Sequence, residues 1–293
     1  MQINEHRREL ARDHSEALDV FRRERAFRIR AYAQVRALAA GERGHAPGLK
    51  KQRGEESMPF KNRVDAGRKL ARALAKYRRE QPVILALPRG GVPVAAEVAT
   101  ALHAPLDLIL VRKIGVPFQP ELAMGAVVDS GAPLIVRNED VIRLAGIDEA
   151  QFKAVCDAEL AEIERRRQRY LGGRPRLAVA GRIAIVIDDG VATGATTRAA
   201  LRATRLGNPK KLVLAVPVAP TDTLASLRAD ADEVICLEDY EFFGAIGAYY
   251  ADFSQVADEE VIALLARFAT EEAAATSQAS HATIRNPADA RRS

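Results

Sequence analysis

Ile183-Ala-Ile-Val-Ile-Asp-Asp-Gly-Val-Ala-Thr-Gly-Ala-Thr-Thr197 is the stretch that decides the fold. Its five leading apolar residues end abruptly in two carboxylates, Asp188 and Asp189, and small residues and hydroxyls follow. A short continuous apolar run without alternation reads as a strand buried on both faces. Ala192, Gly194 and Ala195 leave the backbone approachable, so successive amides can close around an anion. The helix that follows adds the positive end of its dipole, and Thr193 and Thr196 add hydroxyl donors. Two carboxylates beside such a nest would repel a phosphate unless they hold something else. Vicinal sugar hydroxyls meet that need, because ionised acceptors make the stronger hydrogen bonds. A phosphate at one end and a diol at the other describe a ribose 5-phosphate.

Outward from this segment the chain alternates between strand and helix patterns. Residues 63–79 have helical period, and Val83-Ile-Leu-Ala-Leu87 is a second continuous apolar run. That run meets Pro88-Arg89-Gly90-Gly91 and then a helix reaching His103. Strands are expected at 106–111, 124–128 and 133–136, with a long charged helix over 148–171. Beyond the acidic pair come a helix over 196–206, a strand at 211–216, a helix near 222–229 and a strand at 233–237. Buried strands separated by helices predict an α/β fold, a doubly wound and mostly parallel sheet. Right-handed crossovers then put ligands at the carboxyl ends of the strands.

The rest of the chain divides by composition. Residues 1–57 are expected to be a charged helical extension followed by a linker rich in Gly and Pro, with Met58 a candidate native start. Residues 58–270 form the main domain, and 271–293, rich in Ala, Ser, Thr and Arg without periodicity, are expected to be disordered. The net charge of +5 arises mostly in the first 57 residues, so no nucleic-acid footprint falls on the main domain. Apolar runs are too short to span a membrane, and no apolar leader opens the chain. Cys156 and Cys236 have no CxxC spacing, which suits a reducing, cytoplasmic setting. The five histidines form no metal-binding pair, which removes most support for zinc hydrolysis or Ser-His-Asp chemistry. Walker and GxGxxG motifs are absent.

The strand, the acidic pair and the turn ending in Thr193-Gly194-Ala195-Thr196 resemble the 5-phosphoribosyl-1-pyrophosphate (PRPP) motif of the type I phosphoribosyltransferase family. Together with Leu87-Pro-Arg-Gly-Gly-Val-Pro93, they look like a bacterial group of predicted phosphoribosyltransferases. The likeness runs over roughly residues 58–269. It implies that Asp188 and Asp189 bind the ribose hydroxyls and that Ala192, Thr193, Gly194, Ala195 and Thr196 enclose the 5-phosphate. Arg89, Gly90 and Gly91 would form the pyrophosphate loop, with a cis peptide between Pro88 and Arg89. Arg112-Lys113-Ile-Gly-Val-Pro-Phe-Gln-Pro-Glu121 would be a mobile loop closing over the ligand.

The implied reaction is transfer of the 5-phosphoribosyl group from PRPP to a nitrogen heterocycle, releasing pyrophosphate. Arg89, Lys113 and Asp189 would be catalytic, with Arg112 assisting at the pyrophosphate. Mg2+ would be held mainly through PRPP near Asp188 and Asp189, with no direct protein metal site. A homodimer is the expected assembly. A small hood over 239–253 would cover the acceptor, and Phe242, Phe243, Tyr249 and Tyr250 in it either stack on a flat base or pack as core. Ala192 stands where hypoxanthine/guanine-type members carry an aspartate, which argues against a 6-oxopurine acceptor. Two other readings stay open: a PRPP-sensing regulator without turnover, and a ribose-phosphate diphosphokinase, for which no ATP site is evident. The arginines at 165, 166, 167 and 169 read as a solvated helix face.

Overall fold

In the computed structural model, which describes residues 58–129 and 133–268, the two continuous apolar runs lie side by side as parallel strands. In chain order the elements are α1 (Arg63–Ala73), a 3-10 turn (Ala75–Glu80), β1 (Val83–Ala86), α2 (Gly91–Leu102), β2 (Leu106–Leu108), β3 (Val111–Val116), β4 (Gln119–Val128) and β5 (Leu134–Arg137). There follow α3 (Glu139–Leu144), α4 (Glu149–Leu171), β6 (Ile183–Ile187), α5 (Ala195–Leu206), β7 (Lys211–Pro220), α6 (Thr221–Leu227) and β8 (Glu233–Tyr240). After a 3-10 turn over Ile246–Tyr249, residues 258–268 form α7. The expectations for 1–57 and for the tail at 271–293 lie outside the described residues.

The main sheet has the order β2-β1-β6-β7-β8, parallel throughout. Every residue of β1 and β6 is buried, as strands covered on both faces must be. Alternate side chains serve different layers. Ile84, Ala86, Ile185 and Ile187 point into a core shared with α1, α2, α4 and α7. Val83, Leu85, Ala184 and Val186 point the other way, into a layer with α5 and α6. From β1 the chain moves outward to β2, then returns across β1 to β6. The connections therefore diverge between β1 and β6, and the crevice at the carboxyl ends of these two strands is the switch point of the sheet.

Helix ends follow the expected chemistry. Asn62 caps α1 by accepting from the Asp65 amide at 3.0 Å. Asp148 and Gln151 close a capping box on α4, each side chain accepting from the other's backbone amide.

Two local expectations are corrected. Residues 106–111 are not one strand: β2 ends at Leu108, and β3 starts a separate antiparallel sheet, β3-β4-β5, at Val111. Residues 112–121 are accordingly not an irregular loop but the body of the β3–β4 hairpin, turning at Pro117-Phe118. Its Gly and Pro residues, which read as loop signals, are absorbed by register shifts beside Gly115.

Candidate functional site

The switch-point crevice is built from two loops that touch. After β1 the Leu87 amide donates to the Ile187 carbonyl at 2.9 Å, joining the strand ends. Gly90 and Gly91 then press against the acidic pair. A Cβ on Gly90 would fall 2.0 Å from Asp189 Oδ2, and one on Gly91 would fall 2.8 Å from the Ile187 carbonyl oxygen and 3.2 Å from Asp188 Oδ1. Only glycine fits there. The Pro88–Arg89 peptide is cis, as the family resemblance implied.

Past the acidic pair, Gly194 adopts φ +76° as the N-cap of α5, a conformation natural to glycine. Among the described residues, no amide from Ala192 to Thr197 donates a hydrogen bond to the chain, and the first such bond of the helix is Arg198 N to Gly194 O at 2.8 Å. The first amides of a helix lack internal partners and are drawn to anions. Thr193, Ala195 and Thr196 are exposed. The turn is braced from behind, where Thr223 Oγ1 on α6 donates to the Ala192 carbonyl at 3.0 Å.

The two acids are not equivalent. Asp189 is buried, and its Oδ2 accepts from Arg63 Nε at 2.7 Å. Arg63 in turn donates to the Ser254 carbonyl at 2.7 Å and lies 3.8 Å above the Phe253 ring. Burial raises the Asp189 carboxyl above its usual range, and the Arg63 guanidinium pulls it back. Among the described residues no cation is bonded to Asp188. Desolvation first, and then the neighbouring Asp189 charge, push its carboxyl well above the usual range. Its Oδ1 accepts from the Asp189 amide at 2.9 Å.

The structure brings Gly90, Gly91, Asp188, Asp189 and the 192–196 turn together. Arg89 leans away from them, with its NH1 3.6 Å from Asp258 Oδ1. That carboxylate is already engaged by Arg169 at 2.8 Å and by the Tyr170 hydroxyl at 2.6 Å. Arg112 donates to Glu159 of α4 at 2.6 Å. Lys113 is exposed one position further along β3, so strand alternation sends it to the opposite face from Arg112.

The aromatic segment behaves mostly as packing. Tyr249 is stacked on Tyr240 at 4.6 Å and on Phe243 at 4.8 Å. For Tyr250, expected either to stack on a base or to pack as core, the contacts favour packing. Its ring lies between Phe60 and Phe253, and its buried hydroxyl donates to the Asp189 carbonyl at 2.5 Å. The residue as a whole is only 4% exposed. Phe242 is 89% exposed and is the hood ring most open to solvent.

Arg63 was missed by the sequence reading, although one signal was present. A cation immediately after the N-cap opposes the helix dipole, which favours acids in the first turn. A residue placed against that preference has a reason elsewhere, and here the reason is Asp189. The arginines of α4 are corrected too. Arg165 is exposed as expected, but Arg167 is half-buried against the buried Asp129, which Arg176 also contacts. Arg166 lines a cavity with Pro88, Arg112 and Thr196.

A parallel sheet whose switch point carries an open amide turn and two adjacent acids defines an α/β domain with a candidate anion site at its strand ends. A phosphoribosyl transferase domain model matches residues 60–254, more than half the chain. Two Mycobacterium tuberculosis proteins, named "Putative phosphoribosyl transferase Rv0571c" and "Putative phosphoribosyl transferase MT0597", are each 49% identical over 208 residues, covering 71% of this chain and 46% of their own length. The chain thus spans about half the length of the curated relatives it matches. The crystal structure of TT1426 from Thermus thermophilus is 42% identical, covering 71% of this chain and 98% of that one, with a TM-score of 0.62. The chain belongs to the type I phosphoribosyltransferase family.

Proposed function

We propose that this chain transfers the 5-phosphoribosyl group from PRPP to a nitrogen heterocycle, with release of pyrophosphate. The observation that carries this reading is the contact between the two loops: the acids that suit a ribose diol are seated directly on the Gly90-Gly91 turn. A phosphate turn with its amides open lies on their other side. A ligand with a phosphate at each end of a ribose matches that layout.

In the proposed reaction the bond from the anomeric carbon to the pyrophosphate oxygen breaks ahead of the new C–N bond. The heterocycle's nitrogen supplies the electron pair, pyrophosphate leaves with the bonding pair, and the nitrogen's proton passes to water or to the departing pyrophosphate. Asp188 and Asp189 orient the ribose through its hydroxyls, and the 192–196 amides hold the 5-phosphate. Arg89 and Arg112 act where negative charge gathers on the leaving group, and Lys113, on the opposite face of β3, joins them only through a rearrangement of the hairpin. For that role Arg89 swings from Asp258, while Arg112 uses the donors that its bond to Glu159 leaves over. Phe242 is left as the ring for stacking on the acceptor. Ala192 offers no carboxylate to a 6-oxopurine.

Among the described residues no three His, Cys, Asp or Glu side chains cluster as a metal cage. The donor set nevertheless suits Mg2+, which keeps most of its waters and takes one or two carboxylates besides substrate oxygens. Asp188, the acid without a bonded cation, is the residue to hold it beside the ribose hydroxyls. When bound, Mg2+ supplies charge neutralisation at the pyrophosphate.

Among the described residues no helix is long and apolar enough to cross a membrane. Both cysteines are free thiols, in keeping with a reducing compartment, and we place the reaction in the cytoplasm with a homodimer as the working assembly. The test is pyrophosphate release from PRPP and Mg2+ across a panel of nitrogen heterocycles, run beside Asp189→Asn. Release that depends on one base and fails in the variant is the expected result. Tight PRPP binding without turnover on any base would replace the transferase by a PRPP sensor.

A further inference from the structure

A cavity of about 30 Å3 lies where three parts of the site meet. Pro88 of the β1–α2 loop, Arg112 at the start of β3, Thr196 of the phosphate turn and Arg166 of α4 all line it. We infer that Arg166 is a further phosphate-binding residue of this site, acting with Arg112 on phosphoryl oxygens of the bound ligand. This rests on the transferase reading above and extends it to a residue of α4.

The two guanidinium groups are held in matching ways. Arg112 Nε donates to Glu159 at 2.6 Å, and Arg166 Nε donates to Glu162 at 2.7 Å. Glu159, Glu162 and Arg166 follow the three-and-four spacing that puts residues on one side of a helix. That side of α4 therefore carries both counter-carboxylates and the second cation towards the cavity. Each of these bonds engages one donor of a guanidinium that has five, so the forks keep donors for another acceptor. The two arginine side chains are 32% and 34% exposed, which leaves them reachable from the crevice and less screened than a surface pair. A space of this size takes a single oxygen rather than a whole phosphate. The ligand's phosphate sits at the mouth and one oxygen enters between the two forks.

The neighbouring arginines sharpen the assignment. Arg165 pairs with the same Glu162 but is 58% exposed and does not line the cavity. Arg167 and Arg169 have buried or half-buried acids of their own in Asp129 and Asp258. Within this run Arg166 alone reaches the junction of the ligand loops.

The experiment is calorimetric titration of the full chain with PRPP and Mg2+, and separately with pyrophosphate and with ribose 5-phosphate. Arg166→Gln is expected to weaken PRPP binding about tenfold or more, while Arg165→Gln stays within about twofold. Whichever of the two smaller ligands loses affinity with PRPP identifies the phosphate that Arg166 touches. Unchanged affinity of Arg166→Gln for all three overturns the inference. Should that variant not fold, Glu162→Gln is read instead: freeing Arg166 from its acid is expected to tighten PRPP binding at least about twofold, and no change overturns the inference. A wild-type chain that binds no PRPP would remove the transferase reading itself. Wild-type binding that Arg166→Gln leaves intact removes only the role of Arg166.

Discussion

Arg63 Nε stands 2.7 Å from Asp189 Oδ2, in a pair whose side chains are only 12% and 11% exposed. The guanidinium is clamped between that carboxylate, the Ser254 carbonyl and the Phe253 ring, so one residue ties α1 to the acidic pair and to the hood. The backbone reinforces the tie. Phe60 donates to the Tyr249 carbonyl at 3.2 Å, and Ala251 donates back to Phe60 at 2.9 Å.

Removing the cation leaves Asp189 buried and unpaired, which is the costly way to break such a pair. Arg63→Met is expected to lower stability by about 3 kcal/mol in urea denaturation. Arg63→Lys, which keeps charge but loses the fork, is expected to cost less. A loss below about 0.5 kcal/mol for Arg63→Met, the range of ordinary surface changes, would mean the pair contributes little.

Gly90→Ala tests the contact between the ligand loops. Its Cβ would collide with Asp189 Oδ2, so the carboxylate or the loop must move. PRPP affinity is expected to fall by roughly tenfold or more, since displacement on the scale of an ångström disrupts a positioned site. Gly173→Ala, where a Cβ meets nothing within 4 Å, is the control and is expected to bind normally.

Asp188 predicts an inverse relation between stability and function. Its folded-state carboxyl titrates well above the ordinary 3.8, so the folded protein holds that proton more tightly than the unfolded chain does. Stability therefore falls as pH rises from about the unfolded value through the folded one. Asp188→Asn, which can still accept from the Asp189 amide, is expected to gain about 1 kcal/mol at neutral pH. That is roughly 2–4 °C in Tm for a domain of this size. The gain is expected to vanish as pH approaches 4, while PRPP binding is lost at every pH. A neutral-pH Tm equal to wild type would contradict it.

Tyr250→Phe removes the hydroxyl that donates to the Asp189 carbonyl. Leaving that carbonyl without its donor is expected to cost about 1–3 kcal/mol, seen as a lower Tm. With the ring retained, KM for the acceptor is expected to stay near wild type. A selective rise in KM at unchanged Tm would restore Tyr250 to the base site.

Much of this was legible in local pattern. The runs at 83–87 and 183–187 could hardly be anything but buried strands, because neither alternates and each ends at a polar loop. The acidic pair and the small-residue turn were equally plain, since an anion nest and a diol grip are both made by consecutive residues. The hairpin at 111–128 was not legible: its Gly and Pro residues read as loop, and only pairing with β5 and packing against α4 and α5 make it sheet. Tyr250 stayed open for a similar reason, because an aromatic-rich segment reads the same whether its rings face a ligand or each other.

By itself, then, the amino-acid order determined the layered α/β architecture and the loop of paired acids and open amides after β6. Both depend on period and on near neighbours, which the linear chain displays. The tertiary structure alone decided that Arg63 partners Asp189 across 126 positions of sequence, that the Asp258 carboxylate draws Arg89 aside, and that Arg166 joins Arg112 at one cavity. Those pairings follow from how helices lie across the sheet, and charge attraction in a half-buried crevice selects partners by distance in space rather than along the chain.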